Sequence, residues 1–130
     1  MSSSLVLSIV LGWNRAELTL NALASLARAD VPPGCRHRIL LVDNGSSDDT
    51  VATVRSAMPQ VSVLGLSENV GFARRMNAAI LWALERGADW TLLLNTDAEV
   101  HPRLLTHLFA ARPPADVGML TPTIAVHGDD

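Results

Sequence analysis

The sequence predicts an α/β domain: a three-layer sandwich with a mainly parallel, Rossmann-like sheet. Three observations carry that prediction. Short apolar runs alternate with segments of helical period, in the order strand–helix repeated, which is the pattern of a parallel sheet with helices on both faces. The first run, Leu5–Leu11, is continuously apolar and contains Val and Ile, as a strand covered on both faces requires. The 130 residues are 48% hydrophobic and 18% charged, which suits one domain with a real core and argues against disorder.

The elements follow in order. After Leu5–Leu11, Asn14 can cap a helix and Glu17 completes a capping-box-like pair. Leu18, Leu20, Ala22, Leu23 and Leu26 supply helical faces to about Ala29, and Val31-Pro32-Pro33-Gly34 ends that helix. Arg38–Val42 reads as a second buried strand. It stops at Asp43-Asn44-Gly45-Ser46-Ser47-Asp48-Asp49, a turn rich in cap formers, and a helix follows from Asp48 to Ala57. Here Asp48 and Asp49 read as acids at a helix N-terminus, where the dipole favours them. Val61–Leu66 is a third strand and Ser67–Val70 a loop. Gly71–Arg86 is the best helix, with Met76, Ile80, Ala83 and Leu84 on its apolar side and Gly87 as the C′ residue. Trp90–Leu94 reads as a buried fourth strand. Pro102 fits the first position of a helix reaching Arg112, and Val117–Leu120, continuing to Val126, is a fifth strand. Trp82 and Trp90 read as packing residues. Gly45 and Gly71 read as backbone requirements.

Composition also excludes. The net charge of −3 gives no basic footprint, so nucleic acid is not the expected partner. The single cysteine, Cys35, cannot form an intrachain disulfide, and a reducing, cytoplasmic setting fits. Ser4–Trp13 is apolar but lacks the basic start of a signal peptide and is too short to span a bilayer, so no transmembrane segment is expected. The tail His127–Asp130 reads as a loop or frayed end.

Three polar loops should meet on one sheet edge: Gly12-Trp13-Asn14-Arg15, Asp43–Asp48 and Asn95-Thr96-Asp97. In a parallel sheet, ligands gather outside the carboxyl ends of the strands. Asp97 and Glu99 are hard oxygen ligands of the kind that hold Mg²⁺ or Mn²⁺, and such an ion usually bridges to phosphate. An aromatic residue, a lone acid and a metal-type acid together suggest a nucleoside diphosphate: a stacked ring, an acid on base or ribose, a cation on the diphosphate. The competing reading makes those acids turn formers or helix caps.

At this point the chain resembles glycosyltransferase family 2, the GT-A type nucleotide-sugar transferases. Four blocks carry the resemblance in order: Leu7–Arg15, Val42–Thr50, Asn69-Val70-Gly71-Phe72-Ala73 reaching Asn77, and Leu94–Val100. The Asp-Asn-Gly-Ser-Ser-Asp and Asn-x-Gly-Phe-Ala wording is most similar to the rhamnosyltransferase-like branch. The resemblance implies roles. Trp13, where the family usually has Tyr, would lie beside the base. Asp43 would contact base or ribose, with Asn14 and Asn44 in the same nucleotide-binding loops. Asp97 matches the last acid of the Asp-x-Asp motif and would hold the metal. Asn95 stands where many members have the first Asp. Asn77 would support the donor site beyond Gly71, and Arg74, its i, i+3 neighbour, could reach a phosphate. Arg75, Met76 and Ala79 depart from the family's usual residues on this helix.

The resemblance implies inverting transfer of a hexosyl group from a UDP-, dTDP- or GDP-linked sugar to a hydroxyl of a glycan or glycolipid. It also implies Mn²⁺ or Mg²⁺ as cofactor and a site of action at the inner face of the membrane. Such transfer needs a general base to take the acceptor proton, and none is identifiable after Asp97. Residues 1–130 are therefore expected to be a donor-binding domain, the N-terminal half, without the acceptor half that carries the base. The alternative is a non-catalytic nucleotide-sugar binding or regulatory module. A generic nucleotide-binding domain lacks support, because no Gly-x-Gly-x-x-Gly or P-loop pattern occurs. Self-association as a homodimer is expected from Leu104, Leu105, Leu108 and Phe109, which would expose apolar surface beside an open sheet edge.

Overall fold

The computed structural model describes residues 3–66, 71–110 and 113–126. Its order is β1 (Ser4–Gly12), α1 (Ala16–Ala27), β2 (Cys35–Asp43), α2 (Thr50–Ala57), β3 (Ser62–Gly65), α3 (Phe72–Glu85), β4 (Trp90–Asn95) and α4 (Leu104–Ala110). The four strands form one parallel sheet in the order β3-β2-β1-β4, as the alternating pattern predicts. Leu5–Leu11 lies in the interior strand β1 and is buried throughout.

Alternation along the strands splits the core in two, because successive side chains point to opposite faces. Val10, Ile39 and Leu41 pack with Ala22, Leu23 and Leu26 of α1 and Val54 of α2. On the same side, Val6 and Leu105 of α4 form a satellite cluster with Trp90 and Phe109 beside it. On the other side, Leu7, Ile9, Leu11, Leu40 and Val42 receive Ala79 and Ala83 of α3. Three layers result: α1, α2 and α4, then the sheet, then α3.

Several expectations are corrected. Residues 117–126 pair with no strand: they are extended coil, and Met119, Ile124 and Val126 are largely exposed. Gly118 lowers strand preference and Pro122 lacks a ladder donor, so the segment is a poor addition to the β4 edge. The β4 strand is half-exposed rather than buried, because it is an edge strand, and Leu93 keeps 49% of its surface. The proposed Asn14–Glu17 capping box does not form; the N-cap of α1 is Arg15, in the left-handed region at φ 58°, without a side-chain cap bond. Helix α4 begins at Leu104, so Pro102 lies in the preceding turn instead of the first helical position. It folds back onto the sheet, burying Leu105 and half-burying Leu104, Leu108 and Phe109, so the apolar patch expected there is absent. Leu84 lies at 62% exposure, off the sheet-facing side of α3.

Other readings hold. Gly87 ends α3 at φ 77°, with Gly87 N–H donating to Leu84 and Ala88 N–H to Ala83, a paired closure that satisfies the last carbonyls. Gly45 and Gly71 adopt φ 74° and 83°. Trp90 packs edge-on against Phe109 at 5.6 Å. The loop Ser67–Val70, the end of the last helix at Ala111–Arg112 and the tail His127–Asp130 lie outside the described residues.

Candidate functional site

Strand register brings the three loops to one edge. Gly12 is the lateral partner of Asp43, and Leu11 is the partner of Asn95. Asn44 N–H donates to the Gly12 carbonyl at 2.8 Å, extending the ladder one residue past the strands. Gly12 is itself a close-approach position: a Cβ there would lie 3.0 Å from Leu41 Cδ1 and 3.7 Å from Thr96 Cγ2.

The first two loops are clasped. Asn14 N–H donates to Ser46 Oγ at 2.7 Å, and Ser47 N–H donates to Asn14 Oδ1 at 2.9 Å. The Arg15 N–H donates to Asp48 Oδ2 at 3.2 Å. Asn14 is thus a loop-to-loop bridge in the left-handed region (φ 54°), a conformation its short polar side chain tolerates. Asp43 is buried at 3% exposure; its Oδ2 accepts from Ser46 N–H at 2.9 Å and its Oδ1 from Ser46 Oγ. Asn44 is buried beside it at 2%. Asp48 serves the start of α2 as expected, accepting from the Thr50 N–H and hydroxyl, and the Thr50 hydroxyl bond is the main cause that holds its carboxyl below the ordinary value.

The third loop is a turn in which Ala98 N–H donates to the Asn95 carbonyl at 3.2 Å. Asn95 and Asp97 are exposed within it. The segment beyond is pinned to the α1 side, where Val100 N–H donates to Ser25 Oγ at 3.1 Å and Asp30 N–H to the Pro102 carbonyl at 2.7 Å. Trp13 stands at the same edge with 52% of its surface open, an aromatic left out of the core where a ring could stack on it.

Gly71 is the N-cap of helix α3, at the edge where β3 ends. Arg74 and Asn77 do share a face, but both are exposed, on the side opposite the buried stripe of Ala79 and Ala83. Arg75 continues that buried stripe one turn earlier. Its guanidinium lies 5.8 Å from the Phe72 ring, and its buried Nε has no hydrogen-bond partner among the described residues. The i, i+4 spacing of Arg75, Ala79 and Ala83 sets Arg75 on the sheet-facing side of the helix and leaves Arg74 on its outer side.

Among the described residues no group of three or more His, Cys, Asp and Glu could hold a metal ion. Asp97 is one carboxylate, so a cation there needs phosphate oxygens and water for the rest of its shell. That is the usual arrangement for Mg²⁺ in nucleotide sites. Two cavities lie elsewhere. One of about 520 Å³ is at the opposite, amino-terminal edge beside Cys35, Trp90 and Phe109, and one of about 430 Å³ lies between α4 and residues 122–123.

A parallel sheet with helices on both faces and polar loops clasped at its carboxyl edge defines the class of Rossmann-like α/β folds. The family model of glycosyl transferase family 2 matches residues 9–130, and the chain belongs to that family. Among solved structures, S. aureus TarS 1–349 in complex with UDP matches with TM-score 0.68 at 24% identity, over 85% of this chain and 31% of that one. The mannosyltransferase PcManGT from Pyrobaculum calidifontis, in complex with GDP-Man and Mn²⁺, matches with TM-score 0.61 at 25% identity, over 72% of this chain and 28% of that one. Full TarS matches over 19% of its length, so the chain spans between about a fifth and a third of these relatives. No curated protein matches it by sequence.

Proposed function

We propose that this chain is the donor-binding part of a glycosyltransferase that uses a nucleoside-diphosphate sugar. The observation that supports the reading is the register that pairs Asp43 with Gly12 and Asn95 with the adjacent Leu11, with Trp13 and Asp97 just beyond the strand ends. Trp13 stacks on the base. Asp43, released from Ser46, accepts from base or ribose, with Asn14 and Asn44 shaping the loops around it. Asp97 would hold Mn²⁺ or Mg²⁺, and Asn95 would belong to the nucleotide-binding loop beside it. Gly71 starts α3, Arg74 reaches a phosphate and Asn77 supports the donor side, with Arg75 a second arginine in the first turns of the same helix. The bound cation supplies charge compensation for the departing diphosphate.

The relatives give the donor class: UDP and UDP-GlcNAc are bound by TarS 1–349, and GDP-Man by PcManGT. Hexosyl transfer with inversion to a glycan or glycolipid completes the reading, with a cytoplasmic setting at the inner face of the membrane. Residues 42–50 and 71–73 support the rhamnosyltransferase-like branch by their wording. Self-association as a homodimer through the open β4 edge belongs to the same reading.

Titration calorimetry with UDP, dTDP and GDP, each with Mn²⁺ and with chelator, tests it. Binding of at least one diphosphate strengthened by Mn²⁺ is expected, and Asp97→Asn should abolish the metal increment. Identical affinities in both conditions for the wild type, or an increment that survives Asp97→Asn, contradicts the metal role. Absence of binding to all three diphosphates contradicts the donor-site reading itself.

A further inference from the structure

The α3 side of the sheet differs in charge from the rest of the molecule. The chain has 10 basic residues against 13 acids, yet four exposed arginines collect here: Arg36 and Arg38 on β2, Arg74 and Arg86 on α3. Among the described residues the acids of α3 and its exit turn are Glu85 and Asp89. Asp89 is committed to the Leu5 N–H, which donates to it at 2.7 Å, and Glu85 lies 3.9 Å from Arg86. Trp82 sits between the arginines, with the Arg86 guanidinium 3.6 Å and the Arg38 guanidinium 5.9 Å from its ring. The outer face of α3 adds two apolar side chains to these charges, Leu81 at 58% and Leu84 at 62% exposure.

We propose that the α3 side of the sheet docks on an anionic lipid bilayer. The outer face of α3 carries Leu81, Leu84 and Arg74, and its flank carries Trp82 with Arg38 and Arg86, so apolar groups enter the headgroup boundary while guanidiniums at the flank pair with lipid phosphate. Trp82 suits that depth, because its ring is apolar and its N–H remains wet. An acidic protein would satisfy the arginines but gives no reason for Leu81 and Leu84 to stand in water. The geometry also gives the docking a use. Helix α3 starts at the carboxyl edge of the sheet, so docking brings the candidate site close to the membrane surface, where a lipid-linked acceptor would be found. This deepens the glycolipid-acceptor part of the reading above while standing on separate observations.

Flotation of the full chain with phosphatidylcholine vesicles, with and without phosphatidylglycerol, tests it. The chain is expected to float with the anionic vesicles only and to be released by high salt. Arg38→Gln and Arg86→Gln should each weaken binding about fivefold, and Leu81→Asp with Leu84→Asp should abolish it. All four positions are non-core, and circular dichroism confirms that the variants remain folded. No flotation at low salt, or flotation unchanged in these variants, overturns the proposal. Binding to soluble polyglutamate without vesicle binding assigns the surface to an acidic protein and also overturns it. The calorimetric titration is read separately, so failure of nucleotide binding and failure of docking are distinguishable.

Discussion

At the scale of single residues, His37 shows how burial tunes chemistry away from the candidate site. Its Nε2 lies 2.7 Å from Ser8 Oγ, inside the sheet. Ser8 is fully buried, and desolvation lowers the His37 pKa from the ordinary 6.5. The folded state therefore resists a proton that the unfolded chain accepts. Stability is intact above pH 6.5 and falls as pH drops below that value toward the lowered folded pKa. Urea unfolding at pH 7.5 and 5.5 should show a lower midpoint at 5.5, and His37→Asn should flatten that difference; equal slopes for both proteins contradict this. Residue identities at the site were legible from sequence where a strand end fixes them, as at Asp43 and Asn95. They were not legible where conformation decides. Asn14 looked like a cap, but its left-handed backbone turns its side chain to Ser47 instead.

Elements were legible in proportion to their periodicity and burial. β1 and β2 were readable because burial on both faces leaves a continuous apolar run, and α3 because its stop signal is Gly87. The short last helix and residues 117–126 were not, because apolar character there does not specify a pairing partner. The element that most affects the site is α1, which holds the loop after β4. Ser25 donates to the Ala22 carbonyl at 2.7 Å and accepts from Val100 N–H, so one hydroxyl ties Asp97's loop to the helix. Ser25→Ala should cost about 1 kcal/mol in urea unfolding. It should also speed hydrogen exchange at Val100 more than at core amides of β1. Uniform acceleration at both positions contradicts a local tie.

The whole molecule is a sheet finished on one side and open on the other. α1, α2 and α4 cover one face, whereas among the described residues α3 is the helix on the second, and Leu93 of the β4 edge is half-exposed there. An open edge with exposed apolar side chains favours pairing with a second copy. Light scattering over a concentration series should show a growing dimer fraction, and Leu93→Lys should shift it toward monomer; a wild type that stays monomeric contradicts the dimer. The central claim concerns the other edge, where the carboxyl ends of the strands line up. Paramagnetic Mn²⁺ with UDP, followed by amide NMR, locates the bound ion directly. Broadening should centre on residues 95–98 and reach 12–14 and 43–46, and Asp97→Asn should remove it. Broadening centred on Pro32–Cys35 and Phe109, at the larger cavity of the amino-terminal edge, would contradict the account.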